Sequence, residues 1–212
     1  YSAMDSGLVL TPGGVSVLIM MPFVGRFVGK IDARLMVALG LAITGISLFQ
    51  MSHFNLQLDF WSITIPRIVQ GFGLAFLFIP INIASLSYLP KDQIGNGTGM
   101  MNLMRNLGGS FGIALVTTIL ARRTQFHQAT LGAHITSFDP ETTARANDIF
   151  NTFIAQGLDP VTAKGMTYGT MYGQLTRQAN MMAFVDTFFL VGLATFLVMP
   201  LLFLMKQPKK GH

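Results

Sequence analysis

The sequence predicts an all-α membrane protein with about five transmembrane helices. Of its 212 residues, 51% are hydrophobic and only 11% are charged, whereas about 25% are charged in an average soluble domain. The mean hydropathy is +0.53. The apolar residues gather in long runs, and most basic residues flank those runs. A bilayer accepts such runs as helices because each helix satisfies its own backbone polar groups.

The composition and motifs also exclude several classes of function. The net charge of +5 comes from dispersed Lys and Arg residues rather than from a dense basic helix, so we do not expect nucleic acid as a partner. The chain has no cysteine, which excludes disulfides and thiolate metal sites. No Walker A, GxSxG or HExxH motif is present, and the four histidines lack metal-ligand spacing. The sequence therefore predicts neither an enzyme nor a metal or cofactor site.

The first 120 residues divide into four predicted spans, bounded approximately by 6–28, 35–51, 60–88 and 94–120. Short polar stretches separate them. The third span is longer than the roughly 20 residues that a bilayer requires. It also contains Pro66 and Pro80, so we expect it to be tilted or kinked.

A more polar segment follows at 121–178, and we expect it to form short helices outside the membrane. Asp139 precedes Pro140, and Asp159 precedes Pro160. An N-cap aspartate before a proline in the first helical turn is typical of a helix start. We predict one helix over about 140–156 that ends at Gly157, and a second that begins near Pro160 and can continue into the last apolar run.

The last segment, 179–212, contains the fifth predicted span, over roughly 181–205, and a basic tail. Lys and Arg in short loops mark the cytoplasmic side of a membrane protein. They occur in the 25–34 loop, at Lys91 and in the tail. We therefore predict a cytoplasmic C-terminus and an outer location for 121–178. Because the chain enters an apolar run almost at once, we expect either a piece of a longer protein or a chain trimmed at its start.

Two arginines lie inside the predicted spans, where an isolated charge is costly. Arg67 is in the third span, one turn before Gln70. Arg105 is in the middle of the fourth span, and Asn102 and Asn106 share its face. We expect both arginines to line a polar cavity. The alternatives are that Arg67 reaches the outer interface and that Arg105 is bonded to helix carbonyls.

Other polar and small residues in the spans are weaker candidates. Asn82 places an amide deep in the third span, and Asp186 lies near the outer end of the fifth. Asp186 is a candidate for proton exchange, or else it pairs with an arginine or lies at the interface. Small residues let helix backbones approach each other. We expect this role for Gly71, Gly73, Gly108 and Gly112.

Several of these stretches resemble a known family. Residues 67–73 resemble the RxxQGxG motif of major facilitator superfamily transporters, and 25–34 resembles the second copy of that family's loop motif. Residues 1–14, 89–99 and 105–112 are similar to the EmrB/QacA-type drug:proton antiporters. The loop motif consists of Gly25, Arg26, Gly29, Lys30, Asp32 and Arg34.

The resemblance implies that the chain is the C-terminal part of a 14-span exporter, closest to the EmrB branch, with a C-terminal portion of the major facilitator fold. It implies proton-coupled export of drugs or toxic small molecules, apolar or cationic, across the inner membrane by alternating access. It places Arg67 in the lining of the central cavity. It also implies a periplasmic adaptor and an outer-membrane channel as partners, with 121–178 as the place for adaptor contact.

Two other functions stay open at this point. The same fold serves metabolite exporters and uptake permeases, because fold does not determine substrate. A non-transporting assembly subunit of the membrane is the alternative from a different class.

Overall fold

A computed structural model describes residues 3–28, 30–136 and 138–204, which are almost entirely helical. Gly29 of the predicted loop motif and the predicted basic tail lie outside the described residues. Two 3₁₀ helices, Lys91–Gln93 and Met199–Leu204, accompany the α-helices. The six α-helices are α1 (Ala3–Phe27), α2 (Ala33–Met51), α3 (Phe60–Leu86), α4 (Ile94–His134), α5 (Pro140–Ala155) and α6 (Pro160–Val198).

Five of these helices are long and apolar enough to cross a membrane. The candidate spans are Gly7–Phe27, Ala33–Met51, Phe60–Leu86, Lys91–His134 and Pro160–Leu202. They fall in α1, α2, α3, α4 and α6, in the order that the apolar runs predict. The predicted fold class, an all-α membrane protein, is confirmed.

Two of the helices extend beyond the predicted spans that they contain. Helix α4 continues past the predicted end of the fourth span at residue 120 to His134. The helix predicted to begin near Pro160 is present as α6, and it continues into the predicted fifth span. Arg122 and Arg123 end the apolar run, but arginine is a good helix former and does not end a helix. The 121–178 segment therefore contains one complete helix, α5, and the extensions of two long ones.

The polar helix α5 begins and ends at the predicted signals. The Asp139 carboxylate accepts hydrogen bonds from the Thr142 backbone amide at 3.0 Å and from the Thr142 hydroxyl at 2.6 Å. After the last helical residue, Gly157 has a φ of 89°, a left-handed conformation that glycine adopts at little cost. The Asp139-Pro140 start and the glycine stop are thus both present.

The structure divides into two compact units. The first consists of Tyr1–Val116 with Thr187–His212, and the second is Thr117–Asp186. In the first unit α3 packs against both α1 and α2. Val24, Met36 and Ala75, one from each of these helices, form the buried apolar centre.

Small residues make the contacts of α3 close. A Cβ added at Gly73 would lie 2.8 Å from the Thr44 backbone nitrogen and 2.9 Å from the Gly40 carbonyl oxygen, both on α2. A Cβ at Gly71 would overlap Ser16 and Gly13 on α1. Within the described residues, no such neighbour faces the predicted packing glycines Gly108 and Gly112 of α4.

The opposite side of α2 packs against the last part of α6. The rings of Phe49 and Phe196 are stacked at 5.7 Å, and Phe49 meets Phe189 edge-on at 5.4 Å. A Cβ at Gly45 would lie 2.5 Å from the Phe196 ring. Helix α2 therefore has neighbours on two sides.

The second unit contains the end of α4, all of α5 and the beginning of α6. Its buried positions on α6 are small, among them Ala163, Thr167, Ala179 and Ala183. Because small side chains allow close approach of helices, the sequence of α6 permits tight packing here although this stretch is not strongly apolar.

Candidate functional site

Arg67 lies half-buried on α3, close to the crossing with α1. Its Nη1 donates a hydrogen bond to Gln70 Oε1 at 3.1 Å, one turn further along the helix. The Ser16 hydroxyl of α1 donates to the Ile68 carbonyl at 3.2 Å. Arg67 and Gln70 are thus a bonded pair beside a tight helix contact.

Arg105 lies on α4 and reaches across to α3. Its Nη2 donates to Asn82 Oδ1 at 2.7 Å, and its guanidinium is 5.9 Å from the centre of the Phe78 ring. A cation over an aromatic face is stabilised by the ring quadrupole. Two residues one turn apart on α3 therefore hold the guanidinium, and Arg105 itself remains exposed.

The neighbours of Arg105 give this side of α4 an unusual surface for a membrane helix. Asn102 and Asn106 are exposed, as are the apolar side chains Leu103 and Leu107. The two amides lie within about 100° of Arg105 around the helix axis, whereas the two leucines lie on the far side of α4. The face of Arg105 thus combines a cation with two amides. Such a polar face is unfavourable against lipid chains, because lipid offers no hydrogen-bond partner.

Asp186 belongs to a charged cluster in the second unit. Its Oδ2 is 2.8 Å from Nε2 of His127 and 3.6 Å from Nε of Arg123, both on α4. The His127 side chain is 11% exposed. The pairing with an arginine, which the sequence left open for Asp186, is present in the structure.

The second unit also contains an open cavity of about 510 Å³, within the size range of small-molecule pockets. Its lining includes Tyr168, Met171, Tyr172, Ile135 and Asn147. An adjoining smaller cavity is lined by Asp139, Glu141 and Arg145, among others. This part of the chain therefore presents an aromatic and polar surface.

The loop between α1 and α2 contains the loop-motif residues. Gly25 and Arg26 are in the last turn of α1, and Lys30 is in the turn. The Asp32 side chain caps α2 by accepting from the Arg34 backbone amide at 3.0 Å. The aspartate and the second arginine of the motif thus together start the next helix.

Three contacts of these sites were not predicted from the sequence. Phe78 was overlooked, although it lies one turn before Asn82 on the same face of α3. Arg123 and His127 were assigned to a segment outside the spans. Their spacing of four residues would have placed them on one face of a helix, once α4 was extended past residue 120. Among residues 3–28, 30–136 and 138–204, no group of His, Asp and Glu is arranged to hold a metal ion.

Comparison with known proteins gives a consistent match over the chain. Residues 1–138 match the sequence profile of the Major Facilitator Superfamily. The chain is 30% identical over 216 aligned residues to the "Probable multidrug resistance protein EmrY" of Escherichia coli K12, covering 98% of the chain and 39% of that relative.

Two further relatives are similar. The fatty acid resistance protein FarB of Neisseria gonorrhoeae is 28% identical, with 98% of the chain and 39% of the relative covered. The multidrug export protein EmrB of Escherichia coli K12 is 30% identical over 68% of the chain and 28% of its own length. The chain thus spans less than half the length of these curated relatives.

Proposed function

The chain belongs to the major facilitator superfamily, and from that premise we propose that it forms part of a proton-coupled exporter of drugs or other toxic small molecules. Its relatives include proteins named for multidrug export and for multidrug and fatty acid resistance. We place the exporter in the inner membrane, with the C-terminus in the cytoplasm. Alternating access around a site near the middle of the bilayer is the mechanism that we propose.

One observation carries the proposal: the arrangement around Arg105. The residue lies eleven positions after the start of α4 at Ile94, which is about 16 Å along a helix. Its guanidinium is held by Asn82 and Phe78 rather than extended along α4. A cation fixed at this depth with an exposed surface is suited to contact a solute inside the membrane.

Asn102, Asn106, Arg67 and Gln70 are the other residues that we assign to the solute path. Both charged residues of this set are arginines. Guanidinium groups attract carboxylates and other anions and repel cations. We therefore propose that this part of the path favours neutral or anionic amphiphiles, whereas the resemblance alone led us to expect apolar or cationic ones.

Partners outside the membrane are assigned to the second unit. We propose that its aromatic and polar surface, around Tyr168 and Tyr172, faces the periplasm. A periplasmic adaptor leading to an outer-membrane channel would contact it there. The exposure of both tyrosines, 60% and 64%, supports this assignment because tyrosine is enriched at protein interfaces.

The test replaces Arg105 in the full-length transporter with Ala or Lys. We expect Arg105→Ala to lose export at least about tenfold, because one charged hydrogen-bonded contact to the solute is worth about 1.5–3 kcal/mol. Arg105→Lys keeps the positive charge but loses the planar guanidinium with its several N–H donors. Its export rate should therefore lie between those of the wild type and Arg105→Ala. Uptake into everted membrane vesicles driven by a pH gradient measures export, using one anionic and one cationic amphiphile.

The matched control is Arg122→Ala, an exposed arginine on the same helix. It should transport like the wild type, and all variants should reach the membrane in equal amounts. Wild-type export by Arg105→Ala would remove Arg105 from the solute path. Loss of solute from preloaded vesicles, in place of accumulation, would favour an uptake permease instead.

A further inference from the structure

The cluster of Arg123, His127 and Asp186 joins α4 to α6 through one carboxylate oxygen. His127 Nε2 is 2.8 Å from Asp186 Oδ2, and Arg123 Nε is 3.6 Å from the same atom. Only the contact to His127 is short enough to be a hydrogen bond. The histidine is the least exposed member, at 11%, against 32% for Asp186 and 43% for Arg123.

The chemistry of the contact determines which atoms carry protons. An ionised carboxylate can only accept hydrogen bonds, so Nε2 of His127 must be the donor. A neutral imidazole that donates through Nε2 has its lone pair on Nδ1. One proton from water can therefore add to Nδ1 without breaking the bond to Asp186.

The charge of the cluster changes in one step. With a neutral imidazole, Arg123 balances Asp186 and the net charge is zero. With the imidazolium, the net charge is +1. The carboxylate favours this step and the guanidinium opposes it.

No other charged group of the second unit makes a described contact with this ring. Arg122 of α4 and Arg177 of α6 are exposed, and Arg177 is nine residues from Asp186. Arg145 of α5 donates to Gln174 at 3.2 Å. The ring of Phe126 lies edge-on beside the imidazole at 5.4 Å.

From this geometry we propose that His127 is the proton-binding group of the transporter on its outer side, with Asp186 and Arg123 as positioning residues. The proposal rests on the proposed proton-coupled export. Histidine is the side chain whose charge ordinarily changes between about pH 5 and 8. Each cycle would load one proton on Nδ1 from the outer side, and that charge would alter the pairing of α4 with α6.

The experiment measures export by the full-length transporter in everted vesicles, whose lumen corresponds to the outer side, while the lumenal pH is varied between about 5 and 8. We expect the wild-type rate to change several-fold over this range. His127→Gln keeps an amide donor for Asp186 but binds no proton, so its rate should change by less than about twofold.

Two further variants separate a proton site from a merely structural bond. Asp186→Asn removes the charge that favours the imidazolium, so the midpoint of the pH profile should move down. Arg123→Gln removes the opposing charge, and its midpoint should move up. A structural role for the cluster predicts lower rates in both variants but no opposite shifts.

The His127→Gln and Arg123→Gln variants each have a matched control in the same helix. His134→Gln makes the same change at an exposed histidine whose Nδ1 lies 2.8 Å from the Thr130 carbonyl oxygen of its own helix. Arg122→Gln makes the same change beside Arg123. Both controls should keep the wild-type pH profile.

The outcomes separate this inference from the proposed function. An active wild type together with a wild-type pH profile for His127→Gln overturns the inference and leaves the exporter intact. An inactive wild type overturns the exporter, and with it the coupling role of His127. Should His127→Gln fail to reach the membrane, the opposite shifts of Asp186→Asn and Arg123→Gln decide the question, and their absence counts against it.

Discussion

At the scale of single residues, the two arginines of the spans are stabilised in different ways. Arg67 donates to Gln70 of its own helix, so its contact is determined by local spacing alone. Arg105 donates to Asn82, 23 residues away on another helix. The charge of Arg105 is therefore held by the tertiary structure, and displacement of α3 relative to α4 would release it.

Single residues also show how much of the site can be predicted from the sequence. The Arg67–Gln70 pair follows from a spacing of three residues on a helix. The bond between His127 and Asp186 joins residues 59 positions apart, and no local pattern signals it. Asp186 was recognised because a carboxylate in an apolar run is rare, but its partners required the packed helices.

Gly73 provides a residue-scale prediction about stability. Gly73→Ala should lower the unfolding free energy by about 1–3 kcal/mol, because its Cβ would overlap Thr44 and lie 2.9 Å from the Gly40 oxygen. Thermal unfolding of the purified full-length protein in detergent measures the loss.

Gly14→Ala is the matched control, because nothing lies within 4 Å of a Cβ at that position. Alanine is the better helix former by up to about 1 kcal/mol, so this variant should be as stable as the wild type or slightly more stable. An equal loss in both variants would contradict close packing at Gly73.

At the scale of elements, α5 depends on its capping aspartate. The Thr142 hydroxyl donates a hydrogen bond to Asp139, and so does the Thr142 backbone amide. Both bonds lower the pKa of the Asp139 carboxyl below its ordinary value, and the hydroxyl has the larger effect. A lowered pKa in the folded state means that the ionised cap stabilises α5 fully above the ordinary carboxyl pKa. That contribution is lost as the pH falls through the lowered value.

We expect Asp139→Ala to leave the first turn of α5 several-fold less protected against hydrogen exchange near neutral pH, because the Thr142 amide loses its acceptor. Asp139→Asn keeps a capping oxygen without the charge. Its protection should resemble that of the wild type near neutral pH, but it should not weaken as the pH falls below about 4, where the wild-type cap becomes protonated. Mass spectrometry of α5 peptides, corrected for intrinsic exchange rates, measures both effects.

The helix bounds show where reasoning from the sequence succeeds and fails. The ends of α5 were predicted closely because Asp139, Pro140 and Gly157 are local signals with a direct backbone cause. The end of α4 was placed at residue 120 because hydropathy changes there. Hydropathy reports where the apolar environment ends, whereas the helix continues for as long as its residues favour it.

At the scale of the whole molecule, α4 is longer than a membrane is thick. Its 41 residues correspond to about 60 Å, against a hydrocarbon core of about 30 Å. The basic residues of the short loops lie around 25–34 and at Lys91. From the positive-inside rule we therefore predict that these loops are cytoplasmic and that α5 lies on the outer side.

Single cysteines test this orientation, since the chain has none of its own. In the full-length protein with any other cysteines replaced, Asp148→Cys on α5 should react with a membrane-impermeant maleimide in intact cells. Lys91→Cys should react only after permeabilisation. Both native residues are exposed, so access to the reagent and not burial decides the result. The reverse pattern would invert the topology.

The two occupied sides of α2 have a consequence for substitutions in this helix. One side of α2 contacts α3 at Gly40, and another contacts α6 at Gly45. The rest of its surface includes the exposed aliphatic side chains of Leu39 and Ile46, which suit contact with lipid. A helix enclosed in this way has little surface to offer a passing solute. In the proposed exporter, substitutions in α2 would therefore act on the solute path at a distance, by moving α3 and the amide of Asn82 that holds Arg105.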